Sequence, residues 1–225
     1  MKEKVIVAWS GEKDSALALY ETLSSGRYEV LSLLTTVSEG FDRISIHGVR
    51  RVLLEQQAKA LAIPLDVTFI SKRASDEEYE RERLKALRNN RDSGVSSVVF
   101  GDIFLEDIRK YYEHMLAEAG LYGIFPLWTK DTQALARRFI NLGFEAVITS
   151  GDAIILGKDI AGRYYDERFL AALPINVNPR GENGEFHSFV HEGPLFHRNV
   201  SFTEGEIRPR QNRFYSCNLL LKKEI

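Results

Sequence analysis

The sequence predicts an α/β protein: a parallel sheet covered by helices, followed by a smaller C-terminal α+β region. Three observations lead there. Short apolar runs of β character alternate with stretches of helical period through the first half of the chain. After Gly123 that alternation weakens, and from Asp152 onward glycines, prolines and short β-like runs dominate. The chain has 225 residues, 44% of them hydrophobic, enough to bury a sizeable core in one large domain or two modest ones.

Taken in order, the predicted pairs are a strand at Val5 to Trp9 with a helix from Lys13 to Leu23, and a strand at Val30 to Thr35 with a helix from Val49 to Leu61. Leu65 to Ile70 is then followed by a helix over Asp76 to Asn89, and Ser97 to Gly101 by a helix over Glu106 to Ala119. Repeated strand-helix order reads as a parallel sheet with helices on both faces. Val49, Val52, Leu53, Gln57, Ala60 and Leu61 recur near the helical period, and Ile63-Pro64 stops that helix before the next strand. Beyond Pro126-Leu127-Trp128 a helix from about Asp131 to Leu142 and a strand at Ala146 to Thr149 are expected. The boundary falls near Gly123, giving residues 1–123 and 124–225 as the two domains.

Charge and cysteine content narrow the chemistry. With 30 basic and 32 acidic side chains the net charge is -2, and no Lys/Arg run marks a nucleic-acid or membrane footprint. A nucleic-acid substrate is therefore disfavoured. No apolar stretch approaches the roughly 20 residues that span a bilayer, and Met1-Lys2-Glu3-Lys4 leads straight into a strand rather than a signal peptide, so a cytoplasmic protein is expected. The single cysteine, Cys217, lies in the apolar segment Phe214 to Leu221 and reads as a packed thiol. One cysteine builds neither a disulfide framework nor a Cys-rich zinc site within one chain.

The most informative segment is Val5-Ile6-Val7-Ala8-Trp9-Ser10-Gly11-Glu12-Lys13-Asp14-Ser15, a strand, a tight turn and the start of a helix. A helix N-terminus presents unsatisfied N–H groups and about half a positive charge, which suits a phosphate. Ser10 and Ser15 add hydroxyl donors, Gly11 permits close backbone approach, and Lys13 neutralises charge. A carboxylate facing phosphates needs a cation between, which assigns Asp14 to Mg²⁺. The alternative is a helix capped by Ser10 that merely begins with polar residues. The Walker A spacing is absent.

A second segment, Asn178-Pro179-Arg180-Gly181-Glu182-Asn183-Gly184-Glu185-Phe186-His187-Ser188-Phe189, gathers two carboxylates and a histidine in a glycine-punctuated loop entering a strand. Glu182, Glu185 and His187 are suited to binding an amine and managing its protons; a polar hairpin has the same look. Asp102, at the end of a predicted strand, either faces a nucleotide crevice or caps the next helix. His47, before a helix, is either a cap-region residue or a contact to phosphate or acceptor.

Ser10-Gly11-Glu12-Lys13-Asp14-Ser15 resembles the S-G-G-K-D-S signature of the PP-loop ATP pyrophosphatases, with Glu12 in place of the second glycine. The Gly181 to His187 segment resembles the G-E-x-G-E motif of the diphthine–ammonia ligase-like branch, in its bacterial Glu-Asn-Gly-Glu-Phe-His form. His47-Gly48-Val49-Arg50, Gln57 to Leu65, Phe100-Gly101-Asp102-Ile103, Pro126-Leu127-Trp128, Gly143 to Ile148 and Gly193-Pro194-Leu195-Phe196 match the same family, so the resemblance spans nearly the whole chain. Asn178 and Arg180 replace the Asp and Cys usual before the second motif, and His187 stands where the diphthamide-forming branch has an acid. A side chain at Glu12 costs on the order of 1 kcal/mol if that position needs positive φ.

The resemblance implies an adenine nucleotide alpha hydrolase-like (HUP, Rossmann-like) domain followed by a substrate-binding domain. It implies an AMP-forming ligase that adenylates a carboxylate and amidates it with ammonia, with ATP and Mg²⁺ as cofactors. Ser10, Gly11, Glu12, Lys13, Asp14, Ser15, His47, Gly101 and Asp102 would bind the nucleotide, backbone groups near Leu34 and Thr35 would meet adenine, and Asp14 would hold the metal. Lys13, Asp14, Glu182, Glu185 and His187 would carry the chemistry. With no glutaminase-type cysteine, free ammonium is the expected nitrogen source. The acceptor is a small molecule, one linked to cobalamin metabolism among the alternatives, or a modified protein side chain. A nucleotide-binding sensor without turnover and a tRNA-modifying enzyme are the rival readings, the latter disfavoured by the single Cys. Tyr164 and Tyr165 could serve a homodimer interface or pack internally.

Overall fold

A computed structural model describes residues 2–39, 43–44, 49–210 and 213–222. The chain divides into two compact units: Met1–Ser10, Asp14–Ser45 and Ile63–Thr129 form the first; Gly11–Lys13, Ile46–Ala62 and Lys130–Ile225 form the second.

The first unit is organised by strands β1 (Glu3–Ala8), β2 (Tyr28–Ser38), β4 (Leu65–Ile70), β5 (Ser97–Val99) and β6 (Tyr122–Ile124), all parallel, in the order β4-β2-β1-β5-β6. A two-residue strand β3 (Arg43–Ile44) pairs antiparallel with the end of β2. Central β1 reads Val5-Ile6-Val7 without alternation because both its faces are covered, and all three side chains are fully buried. Helix α1 (Lys13–Ser24) follows β1, α3 (Asp76–Asp92) follows β4 and α4 (Glu106–Ala119) follows β5. The Ser75 hydroxyl accepts from the Glu78 amide and so starts α3, and Gly120, at φ 73, ends α4 in a left-handed cap. Ile6, Val98 and Phe100 pack with Leu87, Met115 and Leu116 to form a core under α3 and α4.

The chain runs outward from β1 through β2 to β4, then returns to the other side of β1 for β5 and β6. In an open parallel sheet this reversal leaves a crevice at the carboxyl ends of the two strands flanking it, here β1 and β5.

The second unit contains helix α2 (Arg51–Leu61), α5 (Thr132–Asn141), the short helices α6 (Ala153–Leu156) and α7 (Glu167–Ala172), and an antiparallel sheet. That sheet has the order β8-β7-β10-β9, from β7 (Glu145–Asp152), β8 (Phe186–Glu192), β9 (Phe202–Arg210) and β10 (Phe214–Leu221). Asp131 and Asp166 cap α5 and α7. Aromatic packing fills its interior: Phe139 stacks on Phe144 at 4.9 Å, and Tyr165 meets Phe139 edge-on at 5.6 Å. Tyr165 is therefore a core residue, 2% exposed, while Tyr164 is half exposed. Cys217 is buried, as its apolar setting predicts. Among the described residues no helix is long and apolar enough to cross a membrane.

Candidate functional site

In the first unit, β1 passes through Trp9, whose amide donates to the Leu34 carbonyl at 2.8 Å, to Ser10. The Ser10 hydroxyl donates to that of Ser15 at 3.1 Å, closing the polar turn before α1. On the other side of the crevice, β5 leads into Phe100-Gly101-Asp102. Gly101 is there for space: a Cβ would stand 2.8 Å from the Asp14 carbonyl carbon and 2.9 Å from the Ser15 nitrogen. The N-terminal turn of α1 thus lies directly against the end of β5.

Close by, burial pushes the Asp102 carboxyl up to about 6; a backbone hydrogen bond opposes this and the Asp14 charge reinforces it. The Tyr112 hydroxyl is pushed up to about 12, by burial first and then by the Asp102 charge. Two carboxylates whose charges oppose each other beside a helix N-terminus fit a divalent cation, which would relieve both the repulsion and the desolvation. Leu34 lines a cavity of about 50 Å³ with Ala8, Thr36, Arg83 and Phe100. Thr35 is buried and does not line that cavity. His47 lies outside the described residues.

In the second unit, Gly11–Lys13 is held against β8 by backbone and side-chain bonds. The Val190 amide donates to the Gly11 carbonyl at 3.0 Å, and the Lys13 amide donates to the Ser188 hydroxyl at 3.2 Å. Gln57, fully buried on α2, donates its side-chain NH₂ to the Gly11 carbonyl at 2.9 Å and to the Val190 carbonyl at 2.6 Å. Gly11 has φ +76, and a Cβ there would lie 2.5 Å from Leu54 Cδ2 and 2.6 Å from Gln57 Oε1, so glycine is required by backbone and by space. Glu12 is not among the positive-φ residues, so the glycine of the family signature is not a conformational need at this position. Its carboxylate is buried and reaches His187 Nδ1 at 3.1 Å. Lys13 is 2% exposed, its ammonium 5.2 Å from the Phe186 ring centre.

The Asn178–Glu185 loop is built around Glu185. Its two carboxylate oxygens accept from the Asn178 amide at 3.0 Å, the Asn183 amide at 2.9 Å and the Asn183 side chain at 3.0 Å. Gly181, at φ +65, turns where a Cβ would meet the Phe186 carbonyl oxygen at 2.7 Å. Arg180 is fully buried, its guanidinium 5.3 Å from the Phe139 ring centre, and the Tyr165 hydroxyl donates to the Pro179 carbonyl at 2.6 Å. Glu182 is half-buried and His187 is 23% exposed at its side chain. Sequence reasoning missed Gln57 and Ser188. The usable sign was a polar residue, Gln57, falling on the apolar face of α2.

These features define an α/β protein whose first unit is built on a parallel sheet and whose second unit holds an antiparallel sheet, a glycine turn and an acid-histidine loop. The sequence models of the diphthamide synthase N-terminal domain and C-terminal domain match residues 3–123 and 131–222. The chain belongs to the diphthamide synthase family. The diphthine–ammonia ligase of Schizosaccharomyces pombe is 26% identical over 226 residues, covering 91% of this chain and 37% of its own length. The diphthine–ammonia ligase of Homo sapiens is 23% identical over 228 residues, covering 91% of this chain and 84% of its own. This chain thus spans just over a third of the first relative and most of the second. A solved structure described as a predicted subunit of tRNA methyltransferase from Methanocaldococcus jannaschii superposes with a TM-score of 0.44 at 18% identity, covering 84% of this chain and 96% of that one.

Proposed function

We propose that this protein is an ATP-dependent, AMP-forming ligase that activates an acceptor carboxylate and amidates it with ammonia, with residues 1–123 binding nucleotide and 124–225 binding acceptor. The observation that carries the reading is the hold of Gly11–Lys13 on β8, which sets Glu12 3.1 Å from His187 and so ties the phosphate-loop sequence to the second motif. The relatives' name, diphthine–ammonia ligase, supports the same reaction class.

In this reading the N-terminal turn of α1 beyond Lys13, whose own N–H donates to Ser188, holds the β- and γ-phosphates with Ser10 and Ser15. Lys13 balances their charge as pyrophosphate departs. Asp14, with Asp102 beside it, would hold Mg²⁺, which when bound neutralises phosphate charge. An acceptor carboxylate oxygen attacks the α-phosphorus and the bond to the bridging oxygen of pyrophosphate breaks. Ammonia then attacks the acyl carbon and AMP leaves. Ammonium must first lose a proton, and His187 is the group to take it. Its Nδ1 lies 3.1 Å from the Glu12 carboxylate, an anionic neighbour for the proton that is taken. Glu182 binds the ammonium, and Glu185 holds the loop that presents it.

The test is formation of AMP and pyrophosphate from Mg-ATP with ammonium and a panel of carboxylate acceptors. AMP formation is expected to need both acceptor and ammonium, and His187→Asn is expected to lower it by about 10²-fold or more while Mg-ATP still binds. Mg-ATP binding with no AMP from any acceptor would replace the ligase reading with a nucleotide-binding sensor.

A further inference from the structure

Glu145 opens β7 and Glu192 closes β8, and the pairing between them is irregular. Glu145 faces Glu192, the next residue Ala146 faces Val190, and His191 is left as the extra residue of a β-bulge. Neighbours along a regular strand point to opposite faces, whereas a bulge re-aims a side chain. Here the result is that ligand atoms of Glu145, His191 and Glu192 all lie within 4.8 Å of one another.

His191 is the buried member. It is 9% exposed, and its Nε2 has no hydrogen-bond partner among the described residues. Tyr164 and Phe202 wall its ring edge-to-face at 5.9 and 5.3 Å, which fixes the plane of the imidazole. A buried polar atom without a partner is unfavourable, and native structures leave few of them. Glu145 Oε2 stands 3.9 Å from Nε2, too far for a hydrogen bond. That separation is close to the ~3.4 Å between two ligands each about 2.1 Å from a tetrahedral ion.

We propose that Glu145, His191 and Glu192 form a binding site for one divalent transition-metal ion of the zinc type. One imidazole and two carboxylates give the mixed N/O set that such an ion accepts, and the two acidic charges balance it. Mg²⁺ and Ca²⁺ prefer oxygen alone. Glu145 and Glu192 are exposed, so the remaining coordination positions are open to water. None of the three residues has a part in the ligase reaction. The ion ties the start of β7 to the bulge of β8 and has a structural role.

The experiment uses the full chain, stripped with chelator, and Zn²⁺ as the probe. It is read by calorimetric titration, by melting temperature, and by the visible absorption of Co²⁺ in the same site. The expected result is one equivalent bound and a melting temperature that rises with Zn²⁺ concentration. Glu145→Gln, an exposed change that leaves the fold intact, should weaken binding by roughly tenfold or more, since even outer contacts to a metal ligand are worth ~10–100-fold. The double variant Glu145→Gln/Glu192→Gln should lose binding altogether, and Asp14→Ala should keep it. Absence of Zn²⁺ uptake by the wild-type chain would overturn the proposal. So would uptake by the double variant with unchanged stoichiometry and affinity.

Discussion

Replacing Gly11 with alanine tests the geometry of the phosphate-loop turn. The native φ of +76 costs an L-residue about 1–2 kcal/mol. The new methyl would also lie 2.6 Å from Gln57 Oε1 and 2.5 Å from Leu54 Cδ2, so the Gln57 amide must move. Its two bonds, to the Gly11 and Val190 carbonyls, are each worth about 0.5–1.5 kcal/mol net. Together Gly11→Ala should cost about 2–5 kcal/mol. For a chain of this size each kcal/mol lowers the melting temperature by ~2–4 °C, so calorimetry should show a large fall. Because the distorted segment is the proposed phosphate cradle, Mg-ATP affinity should fall by at least tenfold, the equivalent of ~1.4 kcal/mol. A variant that melts with the wild type and binds Mg-ATP equally well would refute the role given to this turn.

Other expectations concern Asp102, Glu185 and Tyr165. With its folded-state pKa raised from 3.8 to about 6, Asp102 contributes stability that is full below about pH 4 and lost as pH rises through about 6. Asp102→Asn should therefore melt above wild type at pH 8, by up to about 3 kcal/mol, and lose that advantage near pH 4, in melts without nucleotide or divalent ions. Glu185→Ala removes the acceptor for two loop amides, at about 1–3 kcal/mol for each unsatisfied group, and hydrogen exchange should show faster exchange at Asn178 and Asn183. Unchanged exchange would contradict the loop-holding role. Tyr165→Phe loses one bond to Pro179 and should cost about 1 kcal/mol in thermal melts, with no cavity formed.

Local pattern made much of the first unit legible. Six continuous residues of β4, the helix starts of α1 and α4, and the stop at Ile63-Pro64 lie where hydrophobic period and backbone chemistry put them. The three-residue strand β6 was not legible, because Tyr122-Gly123-Ile124 is too short to show a period. The four-stranded antiparallel sheet was only partly so. Its strands β8 and β9 contain His187, Gly205 and Pro209 and are recognised through pairing partners distant in sequence rather than through their own composition.

The site divides in the same way. Ser10, Gly11, Lys13, Asp14 and Asp102 are proposed for the site from their types and spacing alone. The meeting of Glu12 with His187 and of Gln57 with Val190 joins residues more than a hundred positions apart, and no local pattern encodes it. Glu185 illustrates the limit from the other side: its carboxylate reads as a reactive group in sequence, and the structure gives both oxygens to the loop's own N–H groups.

Calorimetric titration of Mg-ATP into the wild-type protein and into Asp14→Ala addresses the ATP-dependent reading most directly, because it needs no acceptor. The account predicts micromolar binding to the wild type that collapses in the variant while its fold is retained. No binding to correctly folded wild-type protein, or equal binding to Asp14→Ala, would contradict it.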